Sequence, residues 1–113
     1  MNKELKVKVK LFSEKNGGRH HIPKDLLSTG KYRPHLVVGD PNQKVAIVDE
    51  NNVGTENYLG VTFVFQEGAL EEEKEFNAIV ATIYPDVDYS SLTKGATFTV
   101  REGHKIVGNG RVL

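Results

Sequence analysis

The chain has 113 residues, fifteen Lys/Arg balanced by fifteen Asp/Glu, and no cysteine, which excludes disulfides and thiolate metal centres. This length implies one domain over residues 1–113 that buries roughly two-thirds of its unfolded surface. The N-terminal stretch MNKELKVKVKLF has no continuous apolar core and no run approaches a bilayer span, so neither a signal peptide nor a membrane helix is expected and the setting reads as cytoplasmic.

The charge is uneven along the chain. Residues Met1 to Val38 carry nine Lys/Arg against three Asp/Glu, and the remainder carries six against twelve. Such a split marks a surface for anions if folding does not interleave the two parts.

In chain order, Leu5–Phe12 alternates Leu5, Val7, Val9 and Leu11 with Lys6, Lys8 and Lys10, the period of a strand with one buried and one wet face. Lysines on the wet face would guard this strand if it lay at a sheet edge. His35–Val38 is a short β-rich run after Pro34, and Lys44–Val48 a weaker one between turn-forming Asp40-Pro41 and Asp49–Asn52. Tyr58–Gln66 (YLGVTFVFQ) reads as a central strand. Phe76–Tyr84 (FNAIVATIY) is nearly apolar throughout, as expected where both faces are covered, and Pro85 stops it.

The acidic stretch Gly68–Glu75 is short and self-repelling, and reads as a solvated loop. Ala96–Glu102 and Lys105–Leu113 flank Gly103-His104, a two-residue hairpin turn. Gly108 and Gly110 lie inside the last strand, where glycine marks a bulge or a close backbone approach. These elements add up to an all-β fold, a small antiparallel Greek-key β-barrel of about six or seven strands.

Catalytic chemistry is not visible. There is no phosphate-cradling G-x-x-x-x-G-K-[ST] loop, so no bound nucleotide is expected, and no G-x-S-x-G elbow. His20, His21, His35 and His104 have no zinc spacing, and adjacent His20-His21 would face opposite ways on an extended chain. The expectation is a non-enzyme with no cofactor and no metal.

Two motifs carry a resemblance. Gly17-Gly18-Arg19-His20, a proline-containing connection, then Tyr32-Arg33-Pro34 before a strand, resembles the third domain of elongation factor Tu. Arg101-Glu102-Gly103 followed by Val107-Gly108 and Gly110 resembles the end of the same domain. The two motifs stand in the family's order at the two ends of the chain, while Gly39 to Glu75 carries no family motif. The resemblance implies an antiparallel Greek-key barrel, agreeing with the strand reading, and a role that grips the T-stem backbone of aminoacyl-tRNA and docks on translation proteins. Motif-matched positions then imply an RNA-contacting set of Arg19, His20, Glu102 and Gly103, with His35 where the family has a glutamine.

The residue types fit that chemistry. Adjacent glycines present backbone N–H groups to an anion, and Arg19 brings a planar fork matched to phosphate. Gly103 leaves room for a sugar-phosphate backbone, and Glu102 would accept from a ribose 2′-hydroxyl. Each residue also has a structural reading: a turn for Gly17-Gly18, the hairpin for Gly103, and a latch for Tyr32-Arg33-Pro34, with Arg33 paired to a carboxylate inside the barrel. The expected function is a translation-factor-like binding module whose partner is tRNA or other structured RNA. The alternative is a protein-interaction module that competes with the parent barrel for a translation-related partner, with Glu67–Glu75 or the divergent middle adding specificity.

Overall fold

The computed structural model describes residues 3–13, 32–51, 56–66 and 73–113. Six strands form: β1 (Glu4–Leu11), β2 (His35–Val38), β3 (Leu59–Gln66), β4 (Glu75–Thr82), β5 (Thr97–Glu102) and β6 (Lys105–Val112). They close into a barrel in the order β1-β4-β3-β2-β5-β6, every neighbouring pair antiparallel. Strands β2, β3 and β4 are sequential neighbours and β1 returns beside β4, which is the Greek-key arrangement. No helix among the described residues is long and apolar enough to cross a membrane.

The period-two pattern sorts residues as its chemistry demands. Val7, Val9 and Leu11 of β1 are buried, as are Val61 and Phe63 of β3 and Phe98 and Val100 of β5. Phe63 sits centrally, with ring centroids 5.7 Å from Tyr32 and 6.4 Å from Phe76. Burying each such side chain stabilises the fold by about 1.5–3 kcal/mol.

Closure depends on the seam between β1 and β6. A Cβ at Gly108 or Gly110 would collide with the backbone carbonyl oxygen of Lys10 or Lys8, so these positions need glycine for the strands to approach. The β5–β6 hairpin turns at Gly103-His104, where Gly103 has φ +61°, a left-handed conformation that suits glycine.

Two expectations are corrected. Lys44–Val48 joins no ladder of the barrel; it lies in the β2–β3 connection with Val45 and Ile47 exposed. Strand β4 is not covered on both faces, since Asn77 is exposed and Ile79 half-buried on its outer side. The condition on β1 is not met: it pairs with both β4 and β6, so its lysines protect no edge.

The β2–β3 connection works as a strap across the outside of β5 and β6. Gly39 N donates to the Thr97 carbonyl at 3.0 Å and the Thr97 hydroxyl donates back to the Gly39 carbonyl at 2.7 Å. Farther along, Asn109 Nδ2 donates to the Pro41 carbonyl at 2.8 Å, and Lys44 Nζ lies 5.3 Å over the Phe12 ring.

Candidate functional site

The hairpin end of β5, the start of β2 and the end of the strap meet around one buried cation. Arg101 pairs in register with His35 of β2 and is fully buried. Nη1 and Nη2 reach the two carboxylate oxygens of Glu56 at 2.5 and 3.0 Å, and Nε donates to Thr99 Oγ1 at 3.0 Å. A bidentate pair of this kind is the strong form of the interaction, shorter and more directional than a point contact.

Glu56 is saturated. It also accepts from the Ile47 backbone N–H at 2.8 Å and from Gln43 Nε2 at 3.0 Å. The Arg101 hydrogen bonds, aided by those from Ile47 and Gln43, hold its pKa down at about 2 against burial, which works the other way. The carboxylate is therefore charged throughout the physiological range, and one ion pair fastens the strap to the barrel.

Tyr58 extends the network outward. Its hydroxyl oxygen accepts from Arg101 Nη1 at 3.0 Å and lies 3.1 Å from His104 Nδ1. The Tyr58 hydroxyl thus links the buried Arg101 to the exposed His104 ring, and the His104 tautomer sets which of the two groups donates in the outer bond. The Tyr58 ring meets His35 and His104 edge-on at centroid distances of 5.8 and 5.9 Å.

Of the residues singled out from sequence, Arg19 and His20 lie outside the described residues. His35, Glu102 and Gly103 come together at the hairpin end. His35 is half-buried on β2, opposite Arg101, and Gly103 is exposed, with open space where a side chain would stand. Glu102 is half-buried and accepts the Tyr32 hydroxyl at 2.7 Å, so part of its carboxylate already serves the barrel mouth. Tyr32 and Pro34 are buried, in keeping with the structural reading of that motif.

Arg33 is the correction. It is exposed, and the buried arginine that a carboxylate holds is Arg101, covered by the β2–β3 connection that carries Glu56. A signal for Arg101 was present, since a charge in the apolar strand TFTVRE must be paired if it is buried. Its partner lies 45 positions away in a connection, where spacing says nothing.

No family model and no curated protein matches the chain.

Between the strap and the hairpin runs a groove of about 310 Å³, lined by Phe12, Lys44, Val45, His104 and Lys105 among others. Its cations and open side suit an anionic, extended ligand. Among the described residues, no three His, Asp or Glu side chains converge as metal ligands.

Proposed function

We propose that this chain is a non-catalytic, elongation-factor-Tu-like binding module that takes the backbone of tRNA or another structured RNA at the β5–β6 hairpin end. The observation that carries this reading is the juxtaposition of an unobstructed Gly103 with His35, Tyr58 and His104 beside a groove holding Lys44 and Lys105. Gly103 admits a sugar-phosphate chain, the lysines neutralise phosphate, and Glu102 offers the acceptor that a 2′-hydroxyl requires. Arg19 and His20 complete the contact set by the resemblance of their motif.

Recognition of this kind reads shape and charge, so tRNA affinity should fall several-fold between about 50 and 200 mM salt. Arg19→Ala and Lys105→Ala should each weaken it further. Binding that ignores both salt and these substitutions would refute the reading.

A second reading is favoured by the strap. Val45, Ile47 and Val48 are all exposed on one short segment, with Val45 76% accessible. Apolar side chains carried on a segment outside the barrel ladder suit a protein partner, the translation-related competitor of the alternative reading. Retention of a partner from lysate that survives ribonuclease and is lost in Val45→Ser/Ile47→Ser would favour it over RNA. Retention lost with ribonuclease would favour the hairpin.

A further inference from the structure

The outer face of β1, β4 and β6 shows a second surface, beyond the turn of the β5–β6 hairpin. Register aligns it in rows. Lys6 of β1 stands opposite Ile79 of β4, which itself stands opposite Phe65 of β3. Lys8 lies between Asn77 and Arg111, and Lys10 between Glu75 and Asn109. Three lysines thus project from one strand at intervals of about 7 Å, two residues of extended chain.

The electrostatics of these rows are unbalanced. Lys8 directly opposes Arg111, a like-charge pairing that destabilises a sheet. Among the described residues Arg111 has one compensating contact, Glu75 at 3.6 Å, and both side chains are about half exposed, where such pairs contribute little. Among the described residues, no carboxylate lies in salt-bridge range of Lys6, Lys8 or Lys10. Since β1 has neighbours on both sides, the lysines are not needed to protect an edge. An anionic ligand would relieve the repulsion.

The top row adds an aromatic platform. Regular alternation after buried Phe63 would bury Phe65 as well. A bulge at Val64 interrupts the register between Phe63 and Phe65, and Phe65 emerges opposite Ile79 with 52% of its surface exposed. Bulges are a recognised means of re-aiming a side chain. The ring borders a cleft of about 210 Å³ shared with Lys6, Asn77, Ile79 and Leu113.

From this juxtaposition we infer that the outer face of β1, β4 and β6 binds single-stranded RNA, the backbone following Lys6, Lys8, Lys10 and Arg111 while a base stacks on Phe65. Regularly spaced cations beside an exposed ring are the two components of such sites, charge tracking the strand and the π-face accepting any base. The line of lysines leads on toward the hairpin, because Lys10 Nζ lies 5.8 Å from the Phe12 ring, which also lines the groove with His104 and Lys105. The inference deepens the RNA reading above: a structured RNA held at the hairpin would lay an unpaired segment along β1.

Fluorescence anisotropy with a labelled oligouridylate of about twelve nucleotides, and separately with tRNA, tests it on the full chain. Phe65→Ala should weaken oligouridylate binding by about tenfold, within the range for loss of one stacked base. Phe65→Leu, which keeps an apolar side chain without a π-face, should be equally weak, and Phe65→Trp should bind at least as well as the parent. Lys8→Ala should lower the salt slope by about 0.7, one phosphate contact to a single strand. His104→Ala and Lys105→Ala should weaken tRNA binding while leaving oligouridylate affinity within about twofold.

Unchanged oligouridylate affinity in both Phe65→Ala and Phe65→Leu would overturn the stacking site. So would a dimer dissolved by Phe65→Ala in sedimentation, which would assign the face to a second copy. Polyglutamate binding as tightly as oligouridylate would assign it to an acidic protein instead. If tRNA binds and oligouridylate does not, the inference falls and the hairpin reading stands; if neither binds, both fall. Phe65 is on the outer face, so an unchanged thermal midpoint in Phe65→Leu separates loss of binding from loss of fold.

Discussion

Arg101 reaches Glu56 across 45 positions of sequence and grips both oxygens of its carboxylate, joining β5 to the far end of the strap. The pair sits beneath a covering segment, where a charge without its partner is costly. Its position decides how the strap is held, and the strap in turn forms one wall of the groove beside the hairpin.

Arg101→Met should lower unfolding free energy by about 3 kcal/mol, because Glu56 and the Tyr58 hydroxyl lose their shared donor. Arg101→Lys should recover little, since an ammonium lacks the planar fork. The double variant Arg101→Met/Glu56→Gln should be less destabilised than the sum of its singles by about 1–3 kcal/mol. Urea denaturation followed by circular dichroism measures all of these, and strict additivity would show that the pair is not coupled.

Acid should release the strap. The folded pKa of Glu56 is about 2, below its ordinary value of 4.5, so the stability it contributes is complete above pH 4.5 and is lost as pH falls from there through about 2. The unscreened shift corresponds to about 3 kcal/mol, and partial water access reduces this to on the order of 2 kcal/mol. Glu56→Gln should show a flatter stability profile than the parent across that window. Parallel profiles would place the acid sensitivity elsewhere.

Gly110→Ala should be among the most damaging single-methyl additions in the molecule. The new Cβ would meet the Lys8 carbonyl and the Phe98 ring together, forcing β6 away from β1 at the closing seam. A loss of about 2 kcal/mol or more follows from overpacking at a site that cannot relax. Hydrogen exchange should show the amides of Val7 to Leu11 losing protection first; a loss confined to the β5–β6 hairpin would contradict this.

Tyr32→Phe removes the hydroxyl that binds Glu102 and leaves the ring against Phe63. The expected loss is about 1 kcal/mol, the net worth of one such bond. Tyr32→Ala should cost about 3–5 kcal/mol by opening a cavity. Thermal denaturation distinguishes the two, and equal losses would mean that the ring contributes nothing beyond its hydroxyl.

Much of the barrel was legible in the order of residues. Alternation in Leu5–Phe12 assigned the inward and outward sets of β1 because a strand's side-chain period is two, whatever lies around it. Gly103-His104 announced the last hairpin because a tight turn selects its residues locally. Gly108 and Gly110 marked a bulge or a close approach for the same kind of reason, and the contacts a Cβ would make with the Lys10 and Lys8 carbonyls show the close approach.

What neighbours contribute across the sheet was not legible. Lys44–Val48 has the composition of a strand, yet the barrel closes without it, and ladder membership depends on a partner rather than on propensity. The sequence reading assigned the buried, carboxylate-paired role to Arg33, and the structure gives it to Arg101, because burial depends on which segment folds over which. The outward turn of Phe65 was equally hidden, since a bulge is a mismatch between two strands and neither one records it alone. Local chemistry therefore determined the strands and turns of this protein, while closure of the sheet alone decided that Arg101 would lie buried beneath a strap and that three lysines would stand beside an exposed ring.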